Sequence, residues 1–162
     1  MERSKRVVFI SHCILNQNTV VYPLARAKGA YKEIIQEIVS KGIGIHQLPC
    51  PEYRHLGLKR KPMDKLEYDT KEYRSLCKHI SQDTINMMKE YLENDCKVIG
   101  LIGINESPTC SIGGIKGILM EELIVLAEKE QIVLNTLDVP EEYFDGKDNE
   151  KFIKELREFI KN

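Results

Sequence analysis

Several features that would point directly to a function are missing from this sequence of 162 residues. No apolar run approaches the roughly 18 residues that a membrane-spanning helix needs, so we expect no association with a membrane. The segment Met1–Arg6 leads into only a short apolar stretch, which is unlike a signal peptide. The sequence also contains no internal repeat and no low-complexity segment. We therefore expect a single cytoplasmic domain over residues 1–162, since a domain typically has about 100–200 residues.

An excess of charge of either sign is also missing. The 24 Lys and Arg residues nearly balance the 25 Asp and Glu residues, and the formal net charge is −1. Proteins that bind nucleic acids usually show a basic excess or stripe, so we expect no nucleic acid polymer as a partner. The densest basic run, Lys59–Lys61, is more typical of a solvated loop than of a phosphate-binding one. The composition leaves both a monomer and a homodimer open.

Close cysteine pairs are absent although the chain has five cysteines. Without a Cys-x-x-Cys pair, the sequence has neither a zinc-ribbon nor a thioredoxin motif. Disulfides are rare in the reducing cytosol, so five cysteines there indicate metal binding or catalysis. Any such site must be assembled by the fold from distant segments.

Short apolar runs alternate with stretches of helical periodicity along the chain. This alternation predicts βαβ units, and hence a three-layer, Rossmann-like α/β domain with a mainly parallel sheet of four to five strands and helices on both faces. The segment from Glu52 to Tyr68 has little periodicity and predicts a long surface loop. The predicted strands are residues 7–10, 43–48, 97–104 and 132–134, and the predicted helices are residues 25–40, 71–94, 118–129 and a last helix after Asp148 or Asn149.

Three of the five cysteines, Cys13, Cys50 and Cys110, follow predicted strands. The carboxyl ends of parallel strands lie along one edge of a sheet, where ligands bind, so these thiols are expected to meet. Cys110 also precedes a predicted helix, whose positive N-terminus would favour its thiolate. Three unrelated loop cysteines remain the alternative. Cys77 lies on the apolar stripe of a helix and Cys96 at the opposite sheet edge, and we expect both to be small packing residues.

A set of three thiolates is typical of a site with an open coordination position, because structural zinc sites normally have four protein ligands. His12 or His46 would be able to complete the set. Adjacent residues of an extended segment point to opposite sides, so His12 is not favoured as a ligand beside Cys13.

Three short motifs follow the first three predicted strands in order. They are Ile10–Leu15, the Cys-Pro-Glu sequence at residues 50–52 with Gly57, Leu58 and Arg60 downstream, and Glu106–Cys110. Together they resemble the DUF523 family, which includes the thiouracil desulfidases, and the chain is similar to a diverged, TudS-like member. The resemblance extends over about residues 6–125, and it rests on the order of the motifs because each one alone is short.

The resemblance implies an iron–sulfur enzyme. Cys13, Cys50 and Cys110 would hold a [4Fe–4S] cluster, one on each of three irons, and the fourth iron would have no protein ligand. Glu52 corresponds to the catalytic acid or base of the family, and Ser107 to a serine at the substrate site. The implied reaction removes sulfur as sulfide from a small thiocarbonyl compound such as a thiolated nucleobase. Iron–sulfur assembly proteins would be partners.

The sequence departs from the family pattern at His12, Asn16 and Ser111, and the arginine–tyrosine–aspartate stretch expected after the first motif is not recognisable. These departures leave the three cysteines intact and bear on the substrate. Apart from the motifs, Glu52 would be a solvated loop carboxylate and Ser107 a turn former. Two other functions remain open: a non-catalytic metal- or sulfide-binding protein that uses the same cysteines, and a thiol enzyme with a nucleophilic cysteine.

Overall fold

A sheet of four strands forms the centre of the computed structural model, which describes residues 1–161. The strands are β1 (Arg6–Ile10), β2 (Gly44–Gln47), β3 (Lys97–Ile104) and β4 (Thr136–Val139). Their order in space is β2-β1-β3-β4, and every neighbouring pair is parallel. The predicted parallel α/β class is confirmed.

Seven α-helices connect or flank these strands within residues 1–161. A 3₁₀ turn, Gln17–Thr19, follows the first helix. In this part of the chain no helix combines the length and the apolar character needed to cross a membrane. The helices are α1 (His12–Leu15), α2 (Lys32–Ser40), α3 (Pro51–Leu56), α4 (Lys65–Tyr68), α5 (Lys71–Glu93), α6 (Ile118–Lys129) and α7 (Glu150–Phe159).

The long helices cover both faces of the sheet, as predicted. On one face, Ile34 of α2 and Leu156 of α7 are fully buried in one apolar cluster with β1. On the other face, Ile80 of α5 and Leu123 of α6 are buried in a second cluster. Burying each such side chain contributes about 1.5–3 kcal/mol, so the two clusters hold the three layers together.

Strand β1 lies inside the sheet, and the chain adds β2 on one side of it and then β3 and β4 on the other side. The connection from β1 to β2 runs through α2 on one face, whereas the connections from β2 to β3 and from β3 to β4 run through α5 and α6 on the other face. The carboxyl ends of β1 and β3 therefore border a topological switch point. In open parallel sheets, ligands bind in the crevice outside this point.

Two predicted elements are displaced. The last strand is residues 136–139 and not 132–134: the N–H of Ile132 bonds to the carbonyl of Ala127 and closes the end of α6, and Val133 is 93% exposed. Strand β4 is a short edge strand with little apolar pattern. The more apolar run at residues 132–134 is therefore predicted as the strand in its place. Helix α2 begins at Lys32 and not near residue 25, and the residues before it pass along the site described below.

The predicted loop over residues 52–68 is wrong, because it contains α3 and α4. Cys50 is the N-cap of α3, and Pro51 occupies the first helical turn. Helix α4 begins with a capping box in which Asp64 and Glu67 exchange side chain–backbone hydrogen bonds of 2.8 Å. Proline at the first turn and Asp-x-x-Glu are start signals that can be read in the sequence, although both helices are too short for periodicity to detect.

Candidate active site

A cavity of about 480 Å³ opens at the carboxyl edge of the sheet. Its size lies within the range of about 300–1,000 Å³ that is usual for small-molecule sites. The walls come from the segments that follow each of the four strands. The lining residues lie within segments 13–31, 50–68, 104–110 and 141–144.

Cys13, Cys50 and Cys110 all line this cavity, and none forms a disulfide. Cys13 belongs to α1, directly after β1, while Cys50 caps α3 after β2. Cys110 lies in the turn after β3, where its carbonyl accepts a 3.0 Å hydrogen bond from the N–H of Ile104. The fold therefore brings three cysteines from three separate loops to one cavity.

The three cysteines are half-buried, and their thiolates would be close enough to repel one another electrostatically. The pKa of Cys13 is raised to about 12, first by burial and then by the negative charges of Cys50 and Glu52, while the positive charge of Arg26 acts to lower it. Burial also raises the pKa of Cys50. The pKa of Cys110 lies well above its usual value through burial and the charges of Cys13 and Cys50. Burial therefore favours the neutral form of all three thiols.

The predicted stabilisation of a Cys110 thiolate by a helix N-terminus is wrong. Helix α6 begins only at Ile118, eight residues further on, and the effect of a helix dipole falls off within about one turn. Burial dominates at Cys110 and favours its neutral form.

The other two cysteines lie where the sequence predicts. Cys77 is fully buried in the cluster between α5 and α6. Cys96 is half-buried just before β3, at the amino edge of the sheet. Neither residue lines the cavity.

Glu52 lines the cavity, and its side chain is only 12% exposed. One carboxylate oxygen, Oε1, accepts a 2.8 Å hydrogen bond from the hydroxyl of Thr109. The other, Oε2, forms an ion pair of 3.3 Å with Arg60. The interpretation of Glu52 as a solvated loop carboxylate is therefore wrong.

Arg60 differs from the rest of its basic run because its side chain is 3% exposed, while Lys59 and Lys61 are exposed. Besides pairing with Glu52, it donates to the carbonyl of Gly57 at 3.1 Å and to that of Thr19 at 2.7 Å. The sequence does not predict this role, because a run of basic residues does not indicate which side chain turns inward.

Thr109 is a second partner of Glu52 that the sequence does not predict. It is 1% exposed, and besides Glu52 its hydroxyl contacts the hydroxyl of Tyr73 at 2.7 Å. Tyr73 is fully buried on α5. In the sequence, the only indication of a role for Thr109 is that it directly precedes Cys110 in the third motif.

Ser107 lines the cavity and also shapes the turn that carries Cys110. Its Oγ accepts hydrogen bonds from the N–H of Cys110 at 2.9 Å and from that of Thr109 at 3.3 Å. The turn-forming interpretation is therefore confirmed. The hydroxyl proton of Ser107 is still available for a second bond, since a hydroxyl both donates and accepts.

The positions that depart from the family pattern have local roles. The amide nitrogen of Gln47 lies 2.9 Å from His12 Nδ1 and donates to the His12 carbonyl at 2.8 Å. Asn16 Oδ1 accepts from the N–H of Asn18 at 3.1 Å, and Ser111 donates to the carbonyl of Gly113 at 3.0 Å. None of these three positions lines the cavity.

Histidines contribute nothing to the cavity wall. His12 is held by Gln47, and the ring of His46 stacks on Phe9 with 4.5 Å between centroids. No group of three or more His, Cys, Asp or Glu side chains within residues 1–161 is arranged to hold a metal ion.

Asp138 anchors the segment after Cys110 to β4. Its carboxylate accepts hydrogen bonds from the N–H of Ile112 at 3.0 Å and from that of Gly113 at 2.8 Å. A Cβ at Gly103 would lie 2.4 Å from both Asp138 Oδ1 and the Cys110 carbonyl oxygen. Only glycine fits there, so the third cysteine is held against β3 by close backbone packing.

Arg26 holds the opposite side of the cavity in place. Its Nη1 donates to the carbonyls of Pro140 at 2.6 Å and Glu141 at 2.8 Å. Gln17 accepts from the backbone N–H of Arg26 at 2.8 Å and donates to the Cys13 carbonyl at 2.9 Å. The irregular segment before α2 is thus tied both to the first cysteine and to the end of β4.

Comparison with curated proteins finds a full-length archaeal relative. The chain is 45% identical over 159 residues to the "uncharacterized protein MJ0003" of Methanocaldococcus jannaschii. The alignment covers 98% of this chain and 99% of the relative. No protein-family model matches the chain, and no solved structure matches it.

Proposed function

This chain belongs to the same family as MJ0003 of Methanocaldococcus jannaschii, and we propose that it is an iron–sulfur-dependent desulfidase. Its substrate would be a small thiocarbonyl compound such as a thiolated nucleobase. The reaction consumes one water, replaces the C=S group by C=O and releases hydrogen sulfide. The observation that carries the proposal is the presence of Cys13, Cys50, Cys110 and Glu52 on the wall of one cavity.

The three cysteines are not grouped around one point, as the ligands of a single metal ion would be, but they are the residue type that a [4Fe–4S] cluster requires, because each of its irons binds a cysteine thiolate. Cys13, Cys50 and Cys110 would hold the cluster as thiolates, and a bound cation would lower their pKa values, which burial and mutual repulsion raise. Three cysteines would leave one iron without a protein ligand. When bound, the cluster would supply that iron as a Lewis acid for the soft sulfur of the substrate.

Glu52 would act as the acid or base of this reaction. Thr109 donates to Oε1, Arg60 pairs with Oε2, and the hydroxyl of Tyr68 also hydrogen-bonds to this carboxylate. Glu52 lines the cavity, so its carboxylate would be in place to take a proton from a water there. Ser107 lines the same wall with a hydroxyl proton free to orient a substrate.

A thiol enzyme is less well supported by the same geometry. The thiolate is the nucleophilic form of cysteine, and reactive cysteines have lowered pKa values. Burial raises the pKa of all three cysteines at this cavity. The lining residues also include no histidine that would take a thiol proton.

The test is to purify and reconstitute the protein without oxygen, and then to measure iron, acid-labile sulfide and the visible absorption spectrum. A cubane cluster predicts about four irons and four sulfides per chain. The loaded protein should then release sulfide from 4-thiouracil or 2-thiouracil with an equal amount of uracil. Stoichiometric zinc, or a full cluster without sulfide release from any thiolated base, would instead favour the non-catalytic metal- or sulfide-binding protein.

A further inference from the structure

Thr109 joins two of the three cysteine loops across the cavity. It directly precedes Cys110, and Glu52 follows Cys50 by two residues. The hydroxyl of Thr109 lies 2.8 Å from Glu52 Oε1. One side chain–side chain hydrogen bond therefore connects the loop after β3 with the start of α3.

The direction of this hydrogen bond is determined by the chemistry of its partners. An ionised carboxylate only accepts, so the single hydroxyl proton of Thr109 points at Glu52. The 2.7 Å contact between Tyr73 and Thr109 must then be donated by Tyr73. Burial raises the pKa of Tyr73, which keeps its proton available for this bond. The three residues form a chain of donors that ends at the carboxylate.

The second carboxylate oxygen is held from another side. Arg60 pairs with Oε2 at 3.3 Å, and it is itself fixed by the carbonyls of Gly57 and Thr19. Contacts on both oxygens define the plane of the carboxylate as well as its position. A water that approaches Glu52 from the cavity therefore meets an acceptor with one preferred orientation.

We propose that Thr109, supported by Tyr73, is a positioning residue for Glu52. It holds the carboxylate in the orientation in which Glu52 exchanges a proton with the water that attacks the thiocarbonyl carbon. The inference rests on the proposed desulfidase function and adds two residues to its machinery. Misplacing a reacting group by about 1 Å can reduce a rate about 100-fold, so the effect should be measurable.

The kinetic test uses protein reconstituted without oxygen and 4-thiouracil as the probe. Thr109→Val replaces the hydroxyl by a methyl group of similar size. We expect it to keep the iron content, the spectrum and the KM while kcat falls about 10- to 100-fold. Thr109→Ser should restore kcat to within about threefold, because it restores the donor. Tyr73→Phe should lower kcat less and leave KM unchanged.

A matched control is available on the same helix as Tyr73. Thr84 is also buried, but its hydroxyl donates to the carbonyl of Ile80 in its own helix. Thr84→Val should therefore retain the native kcat. Native kcat in Thr109→Val would overturn the proposal. So would loss of the cluster in Thr109→Val without rescue by Thr109→Ser, because Thr109 would then only support the fold.

An infrared measurement on cluster-free protein separates this inference from the proposed function. The difference spectrum between the native protein and Thr109→Val should contain a shifted carboxylate band. The band should disappear when both proteins also carry Glu52→Gln. If the native protein releases no sulfide but the band is present, the desulfidase proposal fails and the positioning of Glu52 stands. If the band is absent, the positioning itself is overturned.

Discussion

Arg60 and Glu52 form an ion pair of 3.3 Å in which the arginine side chain is 3% exposed and the glutamate side chain 12% exposed. The pair connects the segment around α3 with the segment after the first cysteine, because Arg60 also donates to the carbonyl of Thr19. Each charge is tolerated in its buried position because the other is present. This relationship connects the stability of the fold to the geometry of the proposed acid or base.

Removing Arg60 should therefore cost far more than removing its neighbours in the sequence. Arg60→Leu leaves Glu52 without its ionic partner, and breaking a buried pair typically costs about 3–5 kcal/mol. We expect a loss of about 3–5 kcal/mol in the free energy of unfolding, measured by urea denaturation. Lys61→Ala is the control, and a change within about 0.5 kcal/mol is expected there because Lys61 is exposed. Equal effects of the two substitutions would contradict the burial of this pair.

Substituting the cavity cysteines should abolish cluster binding selectively. Cys13→Ser, Cys50→Ser and Cys110→Ser each remove one of the three proposed thiolate ligands, so iron and acid-labile sulfide should fall well below the native content after reconstitution without oxygen. Cys96→Ala should retain the native content, because Cys96 lies at the opposite edge of the sheet. A clear loss of iron in Cys96→Ala would overturn the division of the cysteines into two groups.

Glu52→Gln should separate catalysis from cluster binding. The amide keeps the shape of the side chain and can still accept from Thr109, but it is not a base at neutral pH. We expect native iron and sulfide content together with a loss of turnover of about 100-fold or more, since acid–base groups typically contribute about 10²–10⁴ in rate. Sulfide release from 4-thiouracil at the native rate would remove Glu52 from the mechanism.

Gly103→Ala should disturb the third cysteine loop through a purely steric effect. The added Cβ would lie 2.4 Å from the Cys110 carbonyl oxygen, which is a backbone atom and cannot move aside without shifting the loop. We expect a loss of about 1–3 kcal/mol or more in the free energy of unfolding, and a lower iron content after reconstitution. Gly29→Ala is the control, because a Cβ there would have no neighbour within 4 Å. Native iron content in Gly103→Ala would show that the loop is not held by this contact.

The elements that the sequence predicts well have strong local patterns. The apolar run at residues 97–104 predicts β3 with both of its ends, and the periodicity of residues 118–129 does the same for α6. Strand β4 and helices α3 and α4 have four to six residues each, too few to establish a period. Their positions depend on capping and on pairing with a neighbouring strand, which a periodicity argument does not include.

The sequence by itself determined that Cys13, Cys50 and Cys110 share one edge of a parallel sheet. That conclusion needs only the order of the strands and the rule that their carboxyl ends meet. Only the tertiary structure decided which side chains surround them. Glu52 and Thr109 are 57 residues apart along the chain, and Asp138 is 26 residues from Ile112. Such contacts depend on how the layers of the fold pack, and a local sequence pattern does not contain that information. The raised pKa values of the three thiols likewise depend on burial in the folded protein.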